Sequence, residues 1–254
     1  MIDDLDVMVV GETESTNALA LEAAREGMAE GAVFVADCQT AGRGRRESGG
    51  ARRQWFSPAG KNLYLSVVLR PEVAVERASA ITVAVGVELV DLLRDETGLD
   101  VELKWPNDLY IGRRKLAGIL TEAVTGATGL EAVVVGVGLN VNVEADEFPE
   151  ELRDRATSLF AESGRTRDRL SMALSVPAAI VRGCRRYAGD GLAPFDDRLQ
   201  RWDLLRGRRV TVADDNHTKS ATACGIGERG GLLVEFDDGA RTEVVSGEVT
   251  IQNF

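Results

Sequence analysis

The residues of this 254-residue sequence that could carry out chemistry are arginine, lysine, asparagine and aspartate, because histidine and cysteine are scarce. The single histidine, His217, lies in the polar, turn-like stretch DDNHTKS, which argues against a histidine-dependent nucleophilic triad, and one histidine cannot form a multi-histidine metal site. The three cysteines, Cys38, Cys184 and Cys224, lie too far apart for a CxxC motif and are odd in number for a disulfide framework. No GxSxG, GxxxxGKS/T or complete GxGxxG motif occurs. We therefore expect chemistry that depends on positioning and on stabilising negative charge.

The densest cluster of such residues lies in segment 36–58, which reads ADCQTAGRGRRESGGARRQWFSP. Its glycines give the backbone freedom, and it holds five arginines within eleven residues: Arg43, Arg45, Arg46, Arg52 and Arg53. A flexible segment of this charge density attracts an anion, and the planar guanidinium group suits phosphate or carboxylate. The alternative is a solvated basic loop or an RGG-like nucleic-acid segment. Trp55 beside the arginines either belongs to the core or covers a ligand.

A second stretch begins at Lys104, one of only four lysines, and reads KWPNDLYIGRRKLAGILTEA over residues 104–123. Pro106 cannot donate a hydrogen bond to a strand ladder, so the strand must break there. That break places Lys104, Asn107 and Asp108 at an irregular corner. The lysine has apolar neighbours, so its ammonium group needs an anion. That anion is either Asp108, in a structural salt bridge, or the phosphate or carboxylate of a ligand.

Two further polar groups lie at the ends of predicted elements. Ser15-Thr16-Asn17 precedes a helical pattern at 18–27, where these side chains could cap the helix or bind a ligand at its N-terminus. The apolar run 131–142, EAVVVGVGLNVN, is predicted to be a buried strand whose glycines allow close approach of a ligand. Asn140 at its end has the donor and acceptor pattern that matches an adenine edge. The run lacks the third glycine and helix of a dinucleotide fingerprint, so we reject a Rossmann fold.

The elements that must position these groups alternate between strands and helices up to about residue 205 and are all short strands afterwards. Strands are predicted at 31–36, 63–69, 101–103 and 131–142, a hairpin at 110–122, and helices at 18–27, 76–97, 167–187 and 194–205. After Gly207, strands are predicted at 209–213, 220–227, 231–236, 241–245 and 248–251. We therefore predict two domains, an α/β domain at 1–205 and a small β-barrel at 206–254.

The overall charge and hydropathy limit the classes of protein. A net charge of −11 argues against a general nucleic-acid binder, which would more often be basic. No apolar stretch approaches the roughly 18 to 20 residues of a membrane span. The first residues, MIDDLDVMVV, are acidic where a secretion signal would be basic. These features favour a cytoplasmic protein without membrane partners.

Taken together, five blocks resemble the biotin protein ligases, also called biotin–acetyl-CoA-carboxylase ligases. The blocks are STN at 15–17, QTAGRGRR at 39–46 followed by WFSP at 55–58, KWPND at 104–108, KLAGILTE at 115–122 and GVGLNVN at 136–142. The resemblance implies a catalytic domain with a mixed sheet, akin to class II aminoacyl-tRNA synthetases, and a C-terminal SH3-like barrel. Some members carry an N-terminal DNA-binding domain. Because this sequence enters the catalytic core within about fifteen residues, we expect no such domain and no nucleic-acid partner.

The resemblance also implies the reaction, its cofactors and its partner. Biotin reacts with ATP to give biotinyl-5′-AMP and diphosphate, and a lysine of a biotin carboxyl carrier domain then takes the biotinyl group. Mg²⁺ is implied by ATP, although no metal-ligand cluster is legible in the sequence. The first alternative is a lipoate–protein ligase with the same core fold. The second is a non-catalytic biotin-binding protein, and the oligomeric state, monomer or homodimer, stays open.

The roles that the resemblance implies fall into three groups. The catalytic residues are Lys104, which would bridge carboxylate and phosphate oxygens, Arg43, Arg45 and Asp108, which would orient Lys104 or receive a proton from the incoming lysine. The biotin-binding residues are Ser15, Thr16, Asn17, Gln39, Gly42, Arg43, Gly44, Arg45, Lys104, Gly118 and Gly136. The ATP-binding residues are Arg43, Arg46, Arg53, Trp55, Lys104, Lys115 and Asn140.

One departure from the family pattern concerns the arginine segment. Where the family usually reads GRGRRGR before a short link to tryptophan, this chain reads GRGRRESGGARRQW. Either Arg52 or Arg53 could therefore replace the last arginine of the pattern, and the spacing to Trp55 favours Arg53.

Overall fold

The computed structural model describes residues 5–46, 52–127, 129–213, 218–245 and 247–252, and it gives no side-chain placement for Arg45, Arg46, Arg52, Arg53 and Glu248. His217 and the predicted turn at 214–216 lie outside the described residues. No helix among those ranges is long and apolar enough to cross a bilayer.

Residues up to Trp202 form all the helices that the structure describes, and they form the larger sheet. The strands in this part of the chain are β1 (Asp6–Thr13), β2 (Ala32–Gln39), β3 (Arg43–Arg46), β4 (Arg52–Gln54), β5 (Leu63–Leu69), β6 (Val101–Lys104), β7 (Asp108–Ile111), β8 (Arg114–Gly126) and β9 (Gly129–Leu139). The helices are α1 (Thr16–Arg25), α2 (Ala80–Thr97), α3 (Leu159–Ser163), α4 (Arg169–Asp190) and α5 (Asp196–Trp202), with 3-10 turns at Val75–Arg77, Ala145–Glu147, Glu150–Leu152 and Ala193–Phe195.

The larger sheet has seven strands in the order β1-β2-β5-β9-β8-β7-β6 and is mixed. Only β1 and β2 pair in parallel, because α1 provides the crossover that a parallel connection needs. The other neighbouring strands pair antiparallel, in agreement with the predicted mixed sheet.

Both faces of the central strands are covered, which explains why β5 and β9 are continuous apolar runs. Along β9, Val133 and Val135 belong to the core formed with α2 and α4, while Ala132 and Val134 belong to the core formed with α1. This alternation follows from the two-residue period of side chains along a strand. Helix α1 thus lies on one face of the sheet, and α2 and α4 lie on the other.

The C-terminal strands are β10 (Arg209–Ala213), β11 (Thr218–Ile226), β12 (Leu232–Phe236), β13 (Arg241–Val244) and β14 (Glu248–Ile251). They form a separate antiparallel sheet in the order β13-β12-β11-β10-β14. In the described part of the chain no ladder joins β13 to β14, so hydrogen bonds do not close a barrel. The sheet fits the predicted SH3-like fold, and all five predicted strands are present.

The small sheet is packed firmly against the larger domain. Trp105 Nε1 donates a hydrogen bond of 2.8 Å to Gly230 O. The α-carbon of Gly230 approaches α2 so closely that a Cβ there would lie 2.8 Å from Ala80. Val234 and Val249 belong to the same hydrophobic cluster as the residues of the larger sheet. Because this cluster runs through both sheets, the boundary between residues 205 and 206 stays a proposal.

Several predicted elements differ from the structure in their extent, and for two of them the local cause is clear. The helix predicted at 76–97 begins only at Ala80, because residues 75–77 form a separate 3-10 turn. The strand predicted at 131–142 ends at Leu139, because the amides of Asn140 and Asn142 bond to neighbouring loops. The arginine segment, predicted as a loop, contains the short antiparallel pair β3–β4.

The junction between α5 and the small sheet holds a buried carboxyl group that generates a stability prediction. Asp203 is 8% exposed; its Oδ1 accepts a hydrogen bond of 2.9 Å from the Leu205 N–H, and its Oδ2 has no partner among the described residues. Burial, opposed by that backbone bond and by the nearby charge of Arg206, raises the pKa of Asp203 to about 6. The raised pKa favours the protonated form in the folded state, so its stabilising contribution is lost as the pH rises from about 4 to about 6.

We therefore expect Asp203→Asn to increase the free energy of unfolding at pH 8 by about 2–3 kcal/mol, because the amide carries no charge. The increase should shrink towards zero near pH 4. Urea unfolding curves at both pH values measure the difference, with the exposed Asp95→Asn as a control. An equal increase at both pH values would show that charge burial is not the cause.

Candidate functional site

The candidate site is a cavity of about 1010 Å³. It lies on the same face of the larger sheet as α1, over the part of that face that α1 does not cover. It brings together predicted site residues that are up to 125 positions apart in the chain, from Ser15 to Asn140. Of the predicted site residues, those lining it are Ser15, Thr16, Asn17, Gln39, Arg43, Gly44, Trp55, Lys104, Asp108, Lys115, Gly118, Gly136 and Asn140. Gly42 does not line the cavity, but it lies beside Gln39 and Trp55.

The register of the sheet explains why so many of these residues meet. Lys104, Asp108, Gly118 and Gly138 are successive partners across β6, β7, β8 and β9, so they form one row. Leu120, Gly136 and Ser66 form a parallel row two residues further along. Side chains two positions apart share a face and lie about 7 Å apart. The glycines in both rows leave a floor without side chains between the flanking polar groups.

The polar cluster, which comprises Ser15, Thr16, Asn17, Gln39 and Ser66, lies where α1 begins. Ser15 occupies the N-cap position of α1, yet its side chain makes no capping hydrogen bond. Gln39 Oε1 accepts the Thr16 N–H at 2.9 Å instead, so a side chain from β2 satisfies the helix terminus. Ser15 therefore occupies the cap position without capping the helix. The three residues Ser15-Thr16-Asn17 also line the cavity, and their binding of a ligand stays a prediction.

Asn17 is held by three hydrogen bonds that fix the orientation of its amide. Its Nδ2 donates to Leu120 O at 3.2 Å and to Glu122 Oε2 at 2.9 Å, and its Oδ1 accepts from Ser66 at 2.6 Å. A Cβ at Gly136 would lie 1.8 Å from the same Oδ1, so only glycine leaves room for the amide. Sequence reasoning assigned no role to Ser66 or Glu122. The signal for Ser66 is a serine in the otherwise apolar run of β5, and Glu122 is the last residue of the KLAGILTE block.

The lysine cluster, which comprises Lys104, Asp108 and Lys115, lies at the other side of the glycine floor. Lys104 Nζ lies over the ring of Tyr110, 5.2 Å from its centroid, a cation–π contact in a partly dry environment. Asp108 Oδ1 lies 2.6 Å from Lys115 Nζ, an ion pair that is not aligned as a hydrogen bond. The sequence allows a salt bridge between Lys104 and Asp108. In the structure, the short ion pair of Asp108 is with Lys115.

Trp55 lies on the cavity floor rather than in the core. A Cβ at Gly138 would lie 2.6 Å from its indole, and one at Gly118 would lie 3.2 Å away. Lys115 Nζ lies 5.2 Å from the ring centroid. The indole nitrogen is buried and has no hydrogen-bond partner among the described residues. Of the two interpretations of Trp55, this placement favours a residue that covers a ligand.

Asn140 lines the cavity, but its side chain has a structural task. Asn62 Nδ2 donates to its Oδ1 at 3.1 Å, and its Nδ2 donates to Thr157 O at 2.9 Å. Asn62 Oδ1 in turn accepts the Val141 N–H. The amide thus ties β9 to two loops, so the bidentate adenine pairing expected of it stays a prediction that its present bonds do not favour. Sequence reasoning missed Asn62.

The arginine hairpin, defined as β3 and β4, forms the rim of the cavity. Arg43 is exposed there, and the Trp55 N–H donates to Gly42 O at 2.9 Å at the base of the hairpin. The predicted roles of Arg45, Arg46 and Arg53, and the choice between Arg52 and Arg53, concern side chains outside the described part of the structure. Arg113 and Arg155 also line the cavity and were missed, as were Val249, Thr250 and Ile251 of β14.

The cavity wall does not supply a metal-binding cage. Among the described residues there is no group of three or more histidine, cysteine, aspartate or glutamate side chains that could hold a metal ion. Asp108 is the carboxylate among the residues that line the cavity, and it is already paired with Lys115. Such a wall fits Mg²⁺ that enters with the phosphates of a substrate, since Mg²⁺ commonly keeps its waters and few protein ligands.

Comparison with known proteins links this geometry to one group. The model of the biotin/lipoate A/B protein ligase family matches residues 10–140, and that of the biotin protein ligase C-terminal domain matches residues 206–251. The bifunctional ligase/repressor BirA of Bacillus spizizenii is 34% identical over 227 residues, which cover 89% of this chain and 68% of that protein. The biotin–[acetyl-CoA-carboxylase] ligase of Mycobacterium tuberculosis is 36% identical over 252 residues, 94% of this chain and 85% of that protein.

A solved structure has the same architecture. The biotin protein ligase from Aquifex aeolicus in complex with biotin and ATP superposes with a TM-score of 0.80 and 29% identity. The match covers 97% of this chain and 98% of that chain.

The glycine floor generates a prediction about Trp55. Gly138→Ala should displace the indole from the floor, because the added methyl group would lie 2.6 Å from it, and should cost about 1–3 kcal/mol of stability. Acrylamide quenching of tryptophan fluorescence should increase, and Trp55→Phe should remove that increase. The matched control is Gly189→Ala in α4, where a Cβ meets nothing within 4 Å. Unchanged quenching in Gly138→Ala would contradict the placement of Trp55.

Proposed function

The chain belongs to the biotin protein ligases of the biotin/lipoate A/B protein ligase family, and from this membership we propose how its residues carry out the reaction. The enzyme activates biotin with ATP as biotinyl-5′-AMP and transfers the biotinyl group to a lysine of a protein. The acceptor that we propose is the biotin carboxyl carrier domain of a carboxylase, which is consistent with the acetyl-CoA carboxylase in the name of the Mycobacterium tuberculosis relative.

The observation that carries the assignment of residues is the order of groups along β8. The polar cluster contacts β8 at Leu120 and Glu122, and the ion pair of the lysine cluster lies at Lys115. Five residues of extended strand span about 17 Å. Between these two clusters the surface is apolar, because it consists of Gly118, Gly136 and Gly138 with the Trp55 indole against it. This arrangement fits biotin, which has a polar ureido ring, an apolar chain and a carboxylate that must meet the α-phosphate.

Lys104 is the residue that we assign to the first chemical step. A biotin carboxylate oxygen attacks the α-phosphorus, the bond to the diphosphate breaks, and diphosphate leaves. Carboxylate and phosphate are both negative, so their approach is unfavourable unless a cation lies between them. The ammonium group of Lys104 lies over Tyr110, at one edge of the lysine cluster. It can provide that charge without reorganisation. Arg43 on the hairpin rim can neutralise the phosphate oxygens from the open side.

The second step needs a different contribution from the site. The amine of the acceptor lysine attacks the acyl carbon, AMP leaves with the bonding electrons, and the amine loses a proton. Asp108 has two proposed roles, to orient the cationic groups or to accept that proton. Its ion pair with Lys115 at 2.6 Å supports the first role.

The nucleotide end of the cavity is proposed to include Trp55 and Lys115. The indole lies against the glycine floor and lines the cavity, so it can present an apolar surface to a base. Its nitrogen, which has no partner among the described residues, can donate to a ligand. Val249 and Thr250 of the small sheet line the same cavity, which supports a contribution of the proposed C-terminal domain, residues 206–254, to the closed site. Mg²⁺ would enter with ATP and balance phosphate charge.

The first prediction for the chemistry concerns Lys104. Lys104→Ala should reduce biotin-dependent ATP–diphosphate exchange by about 100- to 1000-fold, since it removes the charge between the reacting anions. Biotin binding, measured by calorimetry, should be partly preserved because the polar cluster is intact. The control is Lys61→Ala, whose ammonium pairs with Glu147 at 2.9 Å outside the cavity. Exchange at the control's rate would refute the role of Lys104.

A second prediction separates biotin from lipoate as the activated acid. Exchange supported by biotin should exceed that supported by lipoate by at least about 100-fold, because a dithiolane ring leaves the polar cluster without hydrogen-bond partners. Equal exchange with both acids would favour a lipoate–protein ligase. Biotin binding without exchange would favour a non-catalytic binding protein.

A further inference from the structure

A relay of hydrogen bonds runs through the polar cluster to β8, and its members are Glu122, Asn17, Ser66 and Thr16. It begins on β8, passes through the N-terminus of α1 and reaches β5, so it joins three elements. Ser66 is fully buried, Thr16 is 4% exposed and Asn17 is 6% exposed. Buried polar groups in such a relay have their donors and acceptors fixed by their partners.

The direction of the relay can be read from its carboxylate end. Glu122 Oε2 and Leu120 O can only accept, so the Asn17 group that faces both must be the NH₂. Asn17 Oδ1 then has to accept, and Ser66 Oγ lies 2.6 Å from it. A hydroxyl carries one proton, so the Ser66 proton is committed to Asn17.

The same argument fixes Thr16 and Gln39. Ser66 Oγ lies 2.8 Å from Thr16 Oγ1 and has no second proton, so Thr16 must be the donor in that contact. The Thr16 proton therefore points into the protein, and a lone pair of Oγ1 remains for the cavity. Gln39 Oε1 accepts the Thr16 N–H, so the Nε2 protons are what Gln39 can offer a ligand.

We infer that Ser66 and Glu122 are positioning residues that set the hydrogen-bond polarity of the biotin pocket, with an acceptor at Thr16 and a donor at Gln39. A cyclic urea has an N–H and a carbonyl oxygen side by side, so it matches this pair. An analogue that presents only donors places a donor against the Nε2 donor of Gln39, so no hydrogen bond can form there. The inference rests on the proposed biotin site and names the groups that make it select a ureido ring.

The test uses biotin and 2-iminobiotin, whose protonated guanidinium group at pH 7.5 presents donors where biotin has its carbonyl oxygen. The unaltered enzyme should bind biotin at least about 100-fold more tightly than 2-iminobiotin. Ser66→Ala removes the donor to Asn17 Oδ1 and the acceptor of the Thr16 proton. Glu122→Gln supplies an amide that can donate or accept, so the 3.2 Å bond to Leu120 O is left to hold the Asn17 NH₂ and its orientation is less strongly fixed. Each substitution should lower the affinity ratio by about tenfold or more.

The controls keep the fold and change comparable groups elsewhere. Thr82→Val removes a hydroxyl that bonds to Thr121 at 2.8 Å on the opposite side of the sheet, and Glu102→Gln neutralises a half-buried carboxylate outside the cavity. Both should leave the ratio unchanged. The KM for biotin in the exchange reaction should rise about tenfold in Ser66→Ala and Glu122→Gln, while kcat changes less than about threefold, because neither residue touches the reacting atoms.

The outcomes separate this inference from the proposed function. A ratio of two affinities on one preparation does not depend on the folded fraction, and Glu122→Gln carries the test if Ser66→Ala fails to fold. Ratios unchanged in the relay variants would overturn the inference while the biotin site stands. An unaltered enzyme that binds no biotin would overturn the proposed function and the inference with it.

Discussion

The structure depends on one constraint: part of a sheet face must be kept free of side chains. Helix α1 packs on that face against β2, the end of β5 and the first half of β9, and the cavity lies beside it on the same face. Gly118, Gly136 and Gly138 make this division workable, because the space that their side chains would fill holds Trp55 and Asn17 instead. A methyl group at Gly136 would overlap the Asn17 amide, which in turn anchors the start of α1. The glycines are therefore a packing requirement of the fold and also the floor of the site.

The distribution of charge follows from the same arrangement. The chain has a net charge of −11, yet the cavity is lined by Arg43, Lys104, Arg113, Lys115 and Arg155 with Asp108 as the acidic member. Concentrating cations in a recess with low-dielectric walls strengthens their effect on bound anions. An acidic surface elsewhere keeps non-specific binding of polyanions weak. The enzyme can thus bind two negatively charged substrates side by side without becoming a general anion binder.

In the proposed reaction the polar cluster and the lysine cluster achieve selectivity by different physical means. The roles proposed for the lysines and Arg43 depend on charge, which falls off gradually and tolerates small movements. The polar cluster acts through hydrogen-bond direction, which requires fixed rotamers and therefore buried partners such as Ser66. This difference explains why the residues behind the polar cluster are buried, whereas Arg43 on the rim is exposed.

By itself the sequence determined the elements and the residues with chemical potential. The apolar periods predicted β5, β10 and α4 nearly to their bounds, and the motif around Lys104 indicated a broken strand at the site. Strand register, which depends on contacts between residues far apart in the chain, was decided only by the tertiary structure. It paired Asp108 with Lys115, committed the Asn140 amide to Asn62 and Thr157, and placed Ser66 and Glu122 behind Asn17. A local pattern shows which side chains are polar, but their partners are fixed by which strands become neighbours.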